Sequence, residues 1–185
     1  LHLRRMLGLG RGHTLGHQIG EAPGRVGLEL QHLPGFGRLE EADVAFASVE
    51  ERLAGVSGAE AGVAGARMER AEIGMLQGRT AGAVDAFSAA RSLHEAAGRQ
   101  SLAWRCEVGR VRASVRVGLA PVAPGLDEAR HWAMARGLEL LAVDLRTAAG
   151  LCQVERGPAV AEAHLTAAAA AAGAMGCAPR TGRIH

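Results

Sequence analysis

Apolar side chains recur at spacings of three and four along most of this chain, in segments cut by glycine. Leu39, Ala42, Phe46, Val49 and Leu53 form one such stripe, which predicts a helix over about 39–54. Val63, Ala66, Ala71, Ile73 and Met75–Leu76 predict another over about 59–77, and Ala83, Phe87 and Ala90 begin a third. Leu141, Leu145, Ala148, Ala149 and Cys152 mark a helix over 138–156, with a shorter one before it at 126–136. Pro158 suits the first position of a last helix, 158–175, where its missing N–H costs no hydrogen bond. Val26, Leu28, Leu30 and Leu33 suggest a short early helix that Pro34-Gly35 ends. Acidic residues at 40, 41 and 43, and again at Asp127 and Glu128, fall where first turns are expected and oppose the positive end of the helix dipole.

Residues 101–117 pull two ways. Trp104, Cys106 and Val108, then Val111, Ala113, Val115 and Val117, alternate as in a strand. Gly98 and Gly118 frame 19 residues, however, too many for an ordinary strand, so the segment is assigned as helix. The two prolines of 119–125 then delay the next helix. About eight helices result, and the fold class is all-α.

The glycines add a period. Gly37, Gly78, Gly118 and Gly157 are spaced 41, 40 and 39; Gly58, Gly98, Gly137 and Gly176 are spaced 40, 39 and 39. Ala83 and Phe87 lie 41 residues after Ala42 and Phe46. A fixed period of 20–50 residues marks a stacked repeat array, in which each unit buries its apolar stripe against its neighbours. On this reading residues 1–24 are a Gly-rich, poorly defined N-terminal segment, 25–178 the array, and 179–185 a tail.

The run GRTAGAVDAFSAARSLHEAAG resembles the second helix of a tetratricopeptide-type repeat: a turn glycine (Gly78), a small Ala83, an aromatic Phe87 four later and Ala90 three after that. Gly37, Ala42, Phe46 and Val49 repeat the arrangement. The tail GPAVAEAHLTAAAAAAGAMGCAPR is similar to the last such hairpin of large bacterial signalling proteins, the LuxR-type multidomain transcriptional regulators. The resemblance covers roughly 25–178 and implies an α-α superhelix, a solenoid of antiparallel helix hairpins that binds a protein or peptide on its concave face as a regulatory module. The period here is about 40 where the family has 34, Arg67 and Gly74 replace its first-helix aromatics, and Pro121 and Pro124 interrupt the third copy.

Composition narrows the partner classes. Hydrophobic residues make up 48% and charged residues 22%, enough for a core and too apolar for a disordered chain. The apolar content is mostly Ala, Val and Leu, with three Phe, two Trp and no Tyr, which suits thin helix–helix seams. All 21 basic residues are Arg. Lys, Asn and Tyr share AT-rich codons, so their absence points to GC-rich coding, and a surface Arg here is no mark of phosphate binding. The net charge of +2 carries no basic patch of nucleic-acid grade. Cys106, Cys152 and Cys177, odd in number and widely spaced, fit reduced, partly buried thiols in a cytoplasmic protein rather than a disulfide framework or zinc site. No apolar run reaches the length of a membrane span.

Residues able to carry chemistry are present but not in chemical company. His13 and His17 have metal-ligand spacing without a Glu after the first or a third ligand. Gly8, Gly10 and Gly12 lack the Lys-Ser/Thr of a phosphate loop. Thr14–Val26 has only a faint helix-turn-helix character, so a DNA-binding regulator using residues 1–33 is the alternative function. His94-Glu95 reads as a solvated helix face, and the adjacent pairs Glu40–Glu41 and Glu50–Glu51 diverge around a helix. The expectation is a non-enzymatic module with no cofactor. Its candidate partner-binding residues are Arg105, Arg112 and Arg116, one stripe set opposite Val108, Val111 and Val115, with Met68, Glu72 and Met75 on the neighbouring first helix. Arginine there would pair with partner carboxylates.

Overall fold

A computed structural model describes residues 36–154 and 157–176 of the chain, with side chains from residue 38 onward. Seven α-helices and no strand occur among them: α1 Phe36–Leu53, α2 Glu60–Leu76, α3 Ala83–Ala96, α4 Gln100–Arg116, α5 Leu126–Met134, α6 Glu139–Gln153 and α7 Pro158–Ala174. The expected early helix at 25–33 lies outside the described residues. Consecutive helices pack together from α1 to α4 and from α5 to α7, while α4 also lies against α6 across the proline-containing connection and touches α2.

The turns explain why the glycine period exists. After α2, the Arg79 N–H donates to Gly74 O and the Gly78 N–H to Met75 O; after α3, Arg99 and Gly98 donate to His94 and Glu95. The same pair of bonds closes α4 at Gly118 and α5 at Gly137. This is the Schellman stop, which requires a left-handed residue just past the helix. Gly78 and Gly98 have φ of 77° and 69°, a region where a β-carbon would clash with the backbone. Two of the expected turn glycines behave otherwise. Gly37 is inside α1, and Gly157 precedes α7 with an extended φ of −165°.

The core is thin and divided. One cluster joins Met68, Ala71 and Met75 of α2, Ala83, Phe87 and Ala90 of α3, and Cys106 and Ala113 of α4. The other joins Val108 and Val111 of α4 with Leu126, Ala129 and Ala133 of α5 and Leu141, Ala142, Leu145, Ala148 and Ala149 of α6. Helix α4 therefore belongs to both. Cys106 and Ala113 are seven apart on one flank, and Val108 and Val111 three apart on the other. A helix with two buried flanks scatters apolar residues around its axis, which is why its sequence alternates like a strand.

Three expectations about faces change. Val49 is exposed, so the α1 stripe buries less than its α3 counterpart. Because α1 begins at Phe36, its first turn carries no acidic residue, and Asp43 serves α2 instead. Val115 is exposed beside Arg112, three residues along the same face, and does not join Val108 and Val111 in the core.

Candidate functional site

The expected partner-binding residues divide. Met68 and Met75 are 5% and 2% exposed, members of the α2–α3–α4 core, and present no surface. Both lie on the flank of α2 that receives Phe87 and Ala83, which a stripe drawn from spacing alone does not reveal. Arg116 is committed within the chain: its Nη1 donates to Met75 O at 2.8 Å, at the end of α2, a carbonyl that also accepts from the Gly78 N–H. Glu72, Arg105 and Arg112 remain on a common face, with Arg112 Nη1 3.6 Å from Glu72 Oε1.

That face extends over α2, α4 and α6. Burial raises the Glu69 carboxyl above its ordinary range; Arg105 acts against the rise and Glu72 adds to it. Asp144 of α6 is exposed, yet the protein packed near it partly desolvates its carboxyl and raises it too; Arg112 and Arg105 oppose the shift. Two arginines on the middle helix are thus flanked by Glu69 and Glu72 on one side and by Asp144 on the other. Arg105 makes no hydrogen bond or ion pair among the described residues. The sequence reading missed Glu69 and Asp144. The period held the signal, since Asp144 stands 39 residues after Arg105, just as Arg112 stands 40 after Glu72.

Other charged groups are consumed in holding helices together. Asp43 and Glu50 of α1 face Arg67 and Arg70 of α2 and Arg79 of the following turn: Arg70 Nε donates to Asp43 Oδ1 at 3.0 Å and its Nη1 to Glu50 Oε2 at 2.9 Å. Burial would raise both carboxyls, but hydrogen bonds from Arg79 and Arg70 to Asp43, and from Arg67 and Arg70 to Glu50, hold them below their usual values. Glu107 is more deeply placed, its side chain 2% exposed between Arg91 of α3 and Arg110 of α4, each 2.7 Å away. Burial pushes its carboxyl up, and the two guanidinium groups overcome it and keep the group ionised. Arg110 also donates to Val122 O at 2.8 Å and so fixes the proline-containing connection, while Arg91 lies 5.3 Å over the Trp104 ring.

His94 is not on a solvated face. It is fully buried near the end of α3, and neither ring nitrogen has a hydrogen-bond partner. Burial first, then Arg99 and Arg105, holds it below the ordinary imidazole pKa, so the ring is neutral. Glu95, its neighbour, does face solvent and pairs with Arg91. Burial pushes the Cys106 thiol up to about 12, which makes it inert. Among the described residues no group of three or more His, Cys, Asp and Glu could hold a metal ion, and no helix is long and apolar enough to cross a membrane. His13, His17, the Gly8–Gly12 run, the DNA-binding alternative at 1–33, and Cys177 lie outside the described residues.

No family model, curated protein or solved structure matches this chain.

Proposed function

We propose that this chain is a non-catalytic scaffold that binds a protein or peptide on the face shared by α2, α4 and α6. The observation that carries the reading is Arg105: a guanidinium on the middle helix, without a hydrogen bond or ion pair among the described residues, with Glu69, Glu72 and Asp144 around it and Arg112 beside it. An acidic side chain of the partner would pair with Arg105, and Glu69 and Asp144 would favour a basic side chain on either flank. Charge-assisted pairs of this kind set register and partner choice more than raw affinity.

The Schellman turns at near-constant spacing and the buried Ala83–Phe87–Ala90 stripe support a stack of helix hairpins similar to tetratricopeptide arrays. In such a stack α2, α4 and α6 are the inner helices, and their common face is the concave one. A regulatory module of a larger bacterial transcriptional regulator, acting in the reducing cytoplasm, is the setting in which this scaffold would work.

The test is selection of peptide binders from a displayed library against the whole chain, followed by titration with charge-reversed variants. Arg105→Glu combined with Arg112→Glu should weaken the selected peptides by at least about tenfold, a loss of roughly 1.4 kcal/mol, while Arg52→Glu on α1 leaves them unchanged. Equal affinity across the three proteins would sink the proposal.

A further inference from the structure

The opposite side of α2 carries a separate feature that the shared face does not use. A cavity of about 510 Å³ opens between α1 and α3 over the floor of α2. That is within the range of small-molecule sites, roughly 300–1,000 Å³. Arg67, Arg70 and Arg79 line one side of it with Asp43 and Glu50; the other side is α3, which contributes small residues and Asp85.

The hydrogen-bond accounting on the arginine side is lopsided. Arg67 uses Nε and Nη2 on Glu50; Arg70 uses Nε on Asp43 and Nη1 on Glu50; Arg79 uses Nε on Gln77 and Nη2 on Asp43 and Gln77. All four carboxylate oxygens are taken. Among the described residues one terminal nitrogen of each guanidinium, Nη1 of Arg67, Nη2 of Arg70 and Nη1 of Arg79, makes no hydrogen bond. The carboxylates lie underneath, at 16% and 19% exposure, and the arginines stand above them at 34%, 40% and 61%. The rail therefore turns spare guanidinium donors toward the opening, while each carboxylate oxygen already accepts at least one bond and lies beneath them. Asp85 has the opposite character. It is exposed and makes no hydrogen bond or ion pair among the described residues, so it offers two carboxylate oxygens to a ligand.

Charge sets the ligand class. Three arginines against Asp43, Glu50 and Asp85 leave the cavity neutral, with its unsatisfied positive groups on the α2 rail and its unsatisfied negative group on α3. A simple anion would gain from the rail and be repelled by Asp85; a simple cation would meet the reverse. A small zwitterion gains from both. We infer that this cavity binds a small ligand of amino-acid type, its carboxylate received by the free nitrogens of Arg70 and Arg79 and its ammonium by Asp85. Ala83, Ala86 and Ala89 of α3, with Ala71 and Gly74 of α2, leave room for the ligand's backbone and side chain. A carboxylate bridging one nitrogen of each arginine would make two charge-assisted hydrogen bonds, roughly twice as strong as neutral ones.

The experiment is calorimetric titration of the full chain with a panel of free amino acids, the matching N-acetyl amino acids, which keep only the anion, and the matching decarboxylated amines, which keep only the cation. Buffers are matched in ionic strength. At least one amino acid should bind, and at least about tenfold more tightly than either of its truncated relatives. Arg79→Gln should bring its affinity down to that of the amine, and Asp85→Asn down to that of the N-acetyl acid. Circular dichroism checks that both variants keep the wild-type helix content, and Asp85→Asn, at an exposed unpaired side chain, guards against a folding artefact at Arg79. Failure of every amino acid to bind, equal binding of a truncated relative, or indifference to both substitutions overturns the proposal. Arg105→Glu with Arg112→Glu should leave this binding intact, so the two sites stand or fall separately.

Discussion

The Phe87 ring of α3 packs against the Cα of Gly109 on α4. A β-carbon at Gly109 would sit 2.6 Å from Phe87 Cζ and 2.7 Å from Cδ1. The glycine is helical and its conformation ordinary, so its function is to make space for the ring. Phe87→Ala should destabilise the chain by about 3–5 kcal/mol as a core truncation, and Gly109→Ala by about 1–3 kcal/mol through overpacking. Because the two residues compete for one volume, Phe87→Leu combined with Gly109→Ala should cost less than the sum of the single changes. Denaturant unfolding of the four proteins measures the coupling, and strict additivity would mean that the contact is not made.

His94 and Glu107 both make stability fall on acidification; Asp43 and Glu50 act the same way, and the raised carboxyls of Glu69 and Asp144 oppose it. His94 has its native pKa below the unfolded value of 6.5, so below that pH the unfolded chain takes up a proton that the folded chain refuses. Glu107 has its native pKa below the unfolded value of 4.5, so its contribution is present above 4.5 and lost as pH drops through the native pKa. Replacing His94 by Leu removes the two unsatisfied ring nitrogens from that site and should flatten the profile between pH 6.5 and 5 while sparing the steeper loss below 4.5. Thermal melts across that range decide it. An unchanged slope in His94→Leu would mean that the buried ring does not titrate as its surroundings dictate.

The shared face makes its own titration prediction. Glu69 and Asp144 are raised, so each should hold its proton to a higher pH than a free carboxyl, as followed by side-chain carbonyl NMR. Arg105 acts against both shifts, and Arg105→Gln should push both midpoints higher still. If neither midpoint moves, Arg105 does not lie between them.

Cysteine chemistry gives a direct check on burial. Cys106 should resist a thiol reagent at neutral pH in the folded chain and react promptly in denaturant, whereas the half-buried Cys152 reacts at an intermediate rate. Rapid labelling of Cys106 under native conditions would contradict the α2–α3–α4 core.

Much of the fold is legible in the sequence because the helix stops are covalently explicit. Gly78, Gly98, Gly118 and Gly137 each mark a left-handed residue that only glycine adopts cheaply, and the Ala83–Phe87–Ala90 stripe lies where its spacing places it. Side-chain partnership is less legible. Nothing local distinguishes Met68, buried under α3, from Glu69 beside it on the shared face, or the buried His94 from the exposed Glu95. Those outcomes depend on which flank of a helix receives a neighbour, and α4, with both flanks covered, is the extreme case. Arg116 and Arg112 look equivalent by spacing, yet one caps a carbonyl of α2 and the other faces Glu72.

The binding face on α2, α4 and α6 is tested most directly by amide and methyl NMR of the labelled full chain on titration with a selected peptide. The shifts should concentrate around Glu69, Glu72, Arg105, Arg112 and Asp144 and leave α1 and α7 unmoved. Shifts gathered on α1 or α7, with those five positions silent, would contradict the account.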